Sequence, residues 1–181
     1  MADFPIRKGH PECQKKMKQN HPIHVILDNV RSLYNVGSIF RTADAAGIEK
    51  IHICGTTGYP PNARIEKTAL GATKTVPWAY YPDAIALARN LQVDGLLVAA
   101  LEITGDSVPY TNIKTDQFPI ALIVGNEING VNGNLLDLCD ISLEIPQFGA
   151  KESLNAAVAF GIVTFELVRI WRLNKNTKEL N

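Results

Sequence analysis

The chain is short of several features that announce familiar chemistries. Its three cysteines, Cys13, Cys54 and Cys139, are odd in number, scattered, and without metal-ligand spacing. A disulfide framework and a structural zinc are therefore not expected, and a reduced, cytoplasmic protein without a bound metal is. No run of about 20 apolar residues offers a membrane span. The polar, basic start does not read as a secretory signal peptide. The turn after the apolar run IALIV is GNEINGV, residues 125–131. It has neither the G-x-G-x-x-G of a dinucleotide fold nor the GK[ST] of a phosphate loop. Lys74 and Thr75 lack the glycine spacing that would place them in such a loop. There is no G-x-S-x-G elbow and no H-E-x-x-H, so ordinary hydrolase, kinase and metalloenzyme readings fail. His24 and His52 fall inside apolar runs and read as packed or edge histidines.

What the chain does have is uneven charge. The net charge is zero. Residues 1–20 nevertheless carry five basic side chains against two acidic ones, and residues 169–181 four against one. Basic ends on an acidic body suit a polyanionic partner, although charge alone fits solvated tails equally well.

Short apolar runs recur at residues 23–27, 50–54, 95–100, 120–124 and 141–145. They lack clean alternation, as expected of strands covered on both faces. Helical patterns fall between them, at residues 37–46, 64–70, 83–91 and about 132–138, with a long one over 153–173. Such alternation predicts an α/β fold with a mainly parallel sheet. The expected division is a basic extension over 1–21, one domain over 22–173 and a polar tail over 174–181. The last helix is apolar nearly all round, which suits burial in the domain or packing against a second copy.

Within NVRSLYNVGSIFRTADAAG, residues 29–47, Arg41 is the awkward residue. Read alone, it is a helix-surface side chain paired with Asp44 three positions on, worth about 0.2–0.5 kcal/mol. Asn35 reads as a helix cap or turn residue, and Ser153 as a cap for the last helix.

Three stretches change that reading. They are Asn35-x-Gly37-x-x-x-Arg41, then IVGNEINGV with Gly125, Glu127 and Gly130, then IPQFGAKESLN with Ile145, Pro146, Gly149, Ser153, Leu154 and Asn155. In this order, over about residues 23–172, they resemble the three motifs of the SpoU (TrmH-like) RNA ribose 2′-O-methyltransferases of the SPOUT superfamily. The resemblance implies a sheet whose C-terminal part is threaded into a deep trefoil knot. It implies S-adenosylmethionine bound in that knot, a homodimer formed through the C-terminal helix, and methylation of a ribose hydroxyl of tRNA or rRNA. Short extensions favour tRNA slightly, and guanosine follows family habit. By the same resemblance Ala100, Leu101, Gly125, Ile145, Pro146 and Leu154 hold the cofactor. Arg41, Asn35, Glu127, Ser153 and Asn155 form the catalytic group. Arg41 is the general base of the family's usual account. A guanidinium is effectively always protonated, so binding phosphate and steadying a developing alkoxide is the easier role. Gly37 is expected to leave room for it. A non-catalytic RNA- or S-adenosylmethionine-binding protein of the same fold is the alternative, and a nucleotide-binding α/β enzyme acting on small molecules a more distant one.

Overall fold

The structure, a computed structural model, describes residues 20–178. Most of the basic extension over 1–21 and the last three residues of the tail lie outside it. Seven strands form one sheet: β1 His21–Asp28, β2 Ile48–Cys54, β3 Trp78–Tyr81, β4 Leu97–Leu101, β5 Val108–Pro109, β6 Ile120–Val124 and β7 Ile141–Glu144. Their order is β3-β2-β1-β6-β4-β7-β5, and every pairing is parallel. The helices are α1 Leu33–Ala46, α2 Ala63–Ala69, α3 Ala84–Val93, α4 Gly133–Leu136 and α5 Ala156–Lys178.

Burial on both faces explains the unalternating strand sequences. All five residues of β6 are buried. Ile120 and Leu122 join a core that includes Phe40 of α1 and Phe160 of α5. Ala121 and Ile123 join a second core with Leu87 of α3 and Leu135 of α4. The sheet is thus a middle layer with helices on each side, as parallel strands require.

The differences from expectation have local causes. β3 and β5 were not anticipated: WAYY lies between Pro77 and Pro82, and β5 is two residues ending in proline. Gly95 is in a turn with φ +87°, and β4 starts only at Leu97. The helix expected over 132–138 is a single turn. The last helix starts at Ala156 rather than residue 153 and runs on to Lys178, so the break expected at 173/174 falls inside it.

Candidate active site

A cleft of about 330 Å³ opens beyond the carboxyl ends of β4, β6 and β7, where parallel α/β sheets usually place ligands. Leu101, Val124, Leu143, Ile145, Leu154 and Ala156 give it an apolar lining. Glu102, Asn126, Glu144 and Gln147 supply polar groups beside them.

One wall is the turn of residues 125–131. Asn126 and Gly130 exchange both backbone hydrogen bonds, each at 2.9 Å. The Asn126 Oδ1 accepts from the N–H groups of Ile128 and Asn129, at 2.9 and 3.2 Å. Its Nδ2 donates to the Asn29 carbonyl at 2.8 Å, tying the turn to the end of β1. A Cβ on Gly125 would overlap the Gly130 carbonyl and the Val131 nitrogen. The glycine is therefore needed for the turn to close on itself, before any ligand is considered. Just after β4, Glu102 accepts from the Val131 N–H at 3.0 Å. That carboxylate carries little signal in the sequence beyond its place two residues after the apolar run 95–100.

The turn also presents Glu127 to the start of α1. Its carboxylate accepts from the N–H of Arg31 at 2.8 Å, the N–H of Ser32 at 3.0 Å and the Asn35 Nδ2 at 2.8 Å. Burial pushes this carboxyl up, but the hydrogen bonds outweigh it and hold it below the ordinary glutamate range. Because a carboxylate only accepts, the Asn35 amide must turn its nitrogen toward it. That leaves the Asn35 Oδ1 to accept from the Asn155 Nδ2, at 3.1 Å. The Asn155 Oδ1 in turn accepts from the N–H groups of Ala157 and Val158, at 3.0 and 3.3 Å. One hydrogen-bonded line thus joins Glu127, Asn35 and Asn155 across three distant parts of the chain.

This settles which residues cap. Ser32 caps α1 by accepting from the Asn35 N–H at 3.3 Å. Asn155, not Ser153, caps α5, which frees Ser153 to line the cleft. Leu101, Gly125, Glu127, Ile145, Ser153, Leu154 and Asn155 all line the cleft. Ala100 does not: it is buried in the core on the α3 side, because adjacent strand residues face opposite ways. Pro146 lies between two lining residues, Ile145 and Gln147, without lining the cleft itself.

Arg41 stands apart from this group. Six residues beyond Asn35, it is displaced about 9 Å along α1, and it is exposed. Among the described residues it has no salt bridge. Asp44 instead accepts from the Thr75 hydroxyl, so the expected local ion pair is absent. Nor does Gly37 make room for Arg41: a Cβ there would overlap the Thr68 hydroxyl and the Ile65 carbonyl of α2. Gly37 is a helix-packing residue. Among the described residues no three His, Cys, Asp or Glu side chains gather as metal ligands, and no helix is long and apolar enough to cross a membrane.

The fold and site define an α/β protein with an apolar-lined cleft at the carboxyl edge of a parallel sheet, walled by a glycine-containing turn and the start of α5. The chain belongs to the SpoU rRNA Methylase family, whose model matches residues 22–165. It is 32% identical over 157 residues to the 23S rRNA (guanosine-2′-O-)-methyltransferase RlmB of Neisseria meningitidis, covering 87% of this chain and 62% of that one. It is 35% identical over 154 residues to RlmB of Vibrio vulnificus, covering 84% and 61%. The chain thus spans about three-fifths of the length of these curated relatives. Among solved structures, the A. aeolicus TrmH/SpoU tRNA modifying enzyme superposes with a TM-score of 0.79 at 26% identity, covering 91% of this chain and 85% of that one. The AdoMet-bound rRNA methyltransferase from Sinorhizobium meliloti gives 0.77 at 34% identity, covering 83% and 57%.

Proposed function

We propose that the chain transfers a methyl group from S-adenosylmethionine to a ribose 2′-hydroxyl of tRNA or rRNA. The observation that carries this reading is the line Glu127–Asn35–Asn155 at the rim of the cleft, which brings all three motifs together. The cleft fits the cofactor in kind. Its apolar lining suits adenine, and its backbone-rich turn offers partners for polar edges. Leu101, Gly125, Ile145 and Leu154 are the residues that would hold it, with Ala100 and Pro146 acting through backbone shape. The cofactor supplies an electrophilic methyl group on a sulfonium centre.

The chain's own residues have the remaining work. Asn35, fixed from both sides, orients the acceptor hydroxyl, while Ser153 and Asn155 border its approach. Arg41, exposed and without a protein partner for its charge among the described residues, is available to an RNA phosphate, and its long side chain can reach back along α1 toward the developing alkoxide beside Asn35. Charge stabilisation is the role we assign it; as the methyl would leave sulfur for the ribose oxygen, the hydroxyl proton would pass to solvent water and the demethylated thioether would depart. Guanosine is the expected nucleoside, since the RlmB relatives carry that specificity in their names. A cytoplasmic location accords with RNA as substrate.

Two structural features belong to the same proposal. A homodimer through α5 is supported by the apolar side chains that helix leaves uncovered. Val158, Ile162, Phe165 and Leu173 are exposed while Phe160, Val163 and Leu167 on the other side are buried. The trefoil threading is supported by the path of the chain. β7 lies beyond β4, yet α5, which follows it, packs back against α1.

The test is methyl transfer from labelled S-adenosylmethionine to total RNA, with mapping of the modified nucleotide. Label in a ribose 2′-O position is expected. Label in protein or small molecules with RNA untouched overturns the reading.

A further inference from the structure

The segment that Glu127 holds is gripped from its other side too. Asn29 Oδ1 accepts from the Thr56 N–H at 2.9 Å and from its hydroxyl at 3.0 Å. The Thr57 hydroxyl accepts from the Val30 N–H at 2.9 Å and donates to the Leu27 carbonyl at 3.1 Å. A Cβ on Gly58 would overlap the Leu33 side chain, so this loop runs hard against the first turn of α1, two residues from Asn35. The next residue in this loop is Tyr59.

The Tyr59 ring lies 5.0 Å from that of Tyr80 and 6.3 Å from that of Trp78, centroid to centroid. The Tyr80 hydroxyl donates to the Gly55 carbonyl at 3.0 Å, which fixes its ring. Trp78 meets the core edge-on through Phe40, at 6.4 Å and 86°. Yet Tyr59 is 49% exposed and Tyr80 41%. Two aromatic rings are thus held from below while much of their surface faces water, where a core would have hidden them.

Charge and edge geometry indicate what covers them. In a chain of zero net charge, residues 55–81 carry Arg64, Lys67 and Lys74 against Glu66 alone, and all three cations are exposed. β3, the edge strand here, is four residues long and set between Pro77 and Pro82. That is a poor template for a protein strand. Aromatic faces combined with cations on the same stretch of chain are how proteins hold unpaired bases, the ring taking the base and the cations the backbone.

We propose that Tyr59 and Tyr80, backed by Trp78, form a stacking platform for an unpaired base of the RNA, next to the nucleotide presented at the cleft. The platform rests on RNA being the substrate, but its test does not require turnover. Binding of the full chain to fluorescent oligo-uridine and oligo-adenosine is measured by anisotropy over a range of salt. Tyr59→Ala is expected to weaken both about tenfold, the scale of one base–aromatic stack, while Tyr59→Phe and Tyr59→Trp retain affinity. The salt slope should be unchanged by Tyr59→Ala and reduced by about one in Arg64→Ala, because phosphate contacts alone release counterions. Tyr59→Leu, which keeps an apolar side chain without the ring, should bind like the alanine variant. Wild-type affinity in Tyr59→Leu or Tyr59→Ala overturns the platform, as does failure of the wild type to bind either oligonucleotide at low salt. Loss of self-association in sedimentation, with RNA binding intact, would assign the surface to a second copy. Absent methyl transfer by a chain that binds RNA through Tyr59 would instead sink the methyltransferase reading alone.

Discussion

Asn35 donates its side-chain amide to the Glu127 carboxylate at 2.8 Å, across 92 positions of sequence. The same carboxylate takes the N–H groups of Arg31 and Ser32 at the start of α1. It therefore supplies negative charge where the helix dipole favours it and aims Asn35 at once. Glu127→Ala should lower kcat about 10- to 100-fold through lost alignment. It should also cost about 1–2 kcal/mol of stability. Glu127→Gln should fall between, since its amide keeps one acceptor. The carboxyl is held below its ordinary value of 4.5, so the bound form contributes stability above that value. The contribution is lost as pH falls through the lower folded value. Urea midpoints at pH 6 and pH 3.5 should show a smaller difference in Glu127→Gln than in wild type.

Arg41→Ala should separate chemistry from folding. The side chain is exposed and, among the described residues, forms no salt bridge, so stability should change by no more than about 0.5 kcal/mol. S-adenosylmethionine affinity should hold. Methyl transfer to RNA should fall on the order of 10²–10³-fold, the scale for removing one charge-stabilising donor. Turnover close to wild type would remove Arg41 from the reaction.

The α/β class and five of the seven strands were legible because parallel strands buried on both faces leave continuous apolar runs. β3 and β5 were not, because four residues between prolines and two ending in one carry no periodic signal. Asn35, Glu127 and Asn155 were legible only as motif members. Their mutual hydrogen bonds depend on a fold that brings residues 120 positions apart into contact. That Asn155 rather than Ser153 caps the last helix has a related reason: capping depends on where the helix starts, and that boundary lies at Ala156. Tyr59 carries no sequence signal, since a lone tyrosine before two prolines has no pattern until Tyr80 and Trp78 are beside it.

Gly37 offers a test of packing against propensity. Alanine in a helix interior is favoured over glycine by about 1 kcal/mol. At Gly37, however, the added methyl would overlap the Ile65 carbonyl, a backbone atom that cannot rotate away. Overpacking of this kind costs about 1–3 kcal/mol. Gly37→Ala should thus destabilise, lowering Tm by a few degrees, and shift α2 with Arg64 and Lys67. Gly133→Ala is the control. A Cβ there meets nothing within 4 Å, and Tm should hold or rise. A stabilised Gly37→Ala would show that α1 and α2 are not closely packed.

His52 makes the last case, away from the cleft. Its Nε2 lies 3.0 Å from the Nδ1 of His24, and its own Nδ1 is buried without a partner. An unpaired lone pair costs less than an unpaired N–H, which favours the tautomer in which the His52 Nε2–H donates to His24. Burial first, then the His24 and Lys50 charges, push the His52 pKa down to about 3. The unfolded chain titrates near 6.5 and so takes up a proton first as pH falls. Stability contributed by neutral His52 is therefore full above about 6.5 and declines from there toward pH 3. His52→Leu removes both the unpaired nitrogen and the titration while keeping similar volume. Its stability should be close to wild type at pH 7.5 and higher than wild type at pH 4.5, read from urea midpoints. His24 is also lowered by burial, so some acid sensitivity should persist in the variant. Equal losses for both proteins between those pH values would place the acid sensitivity elsewhere in the fold.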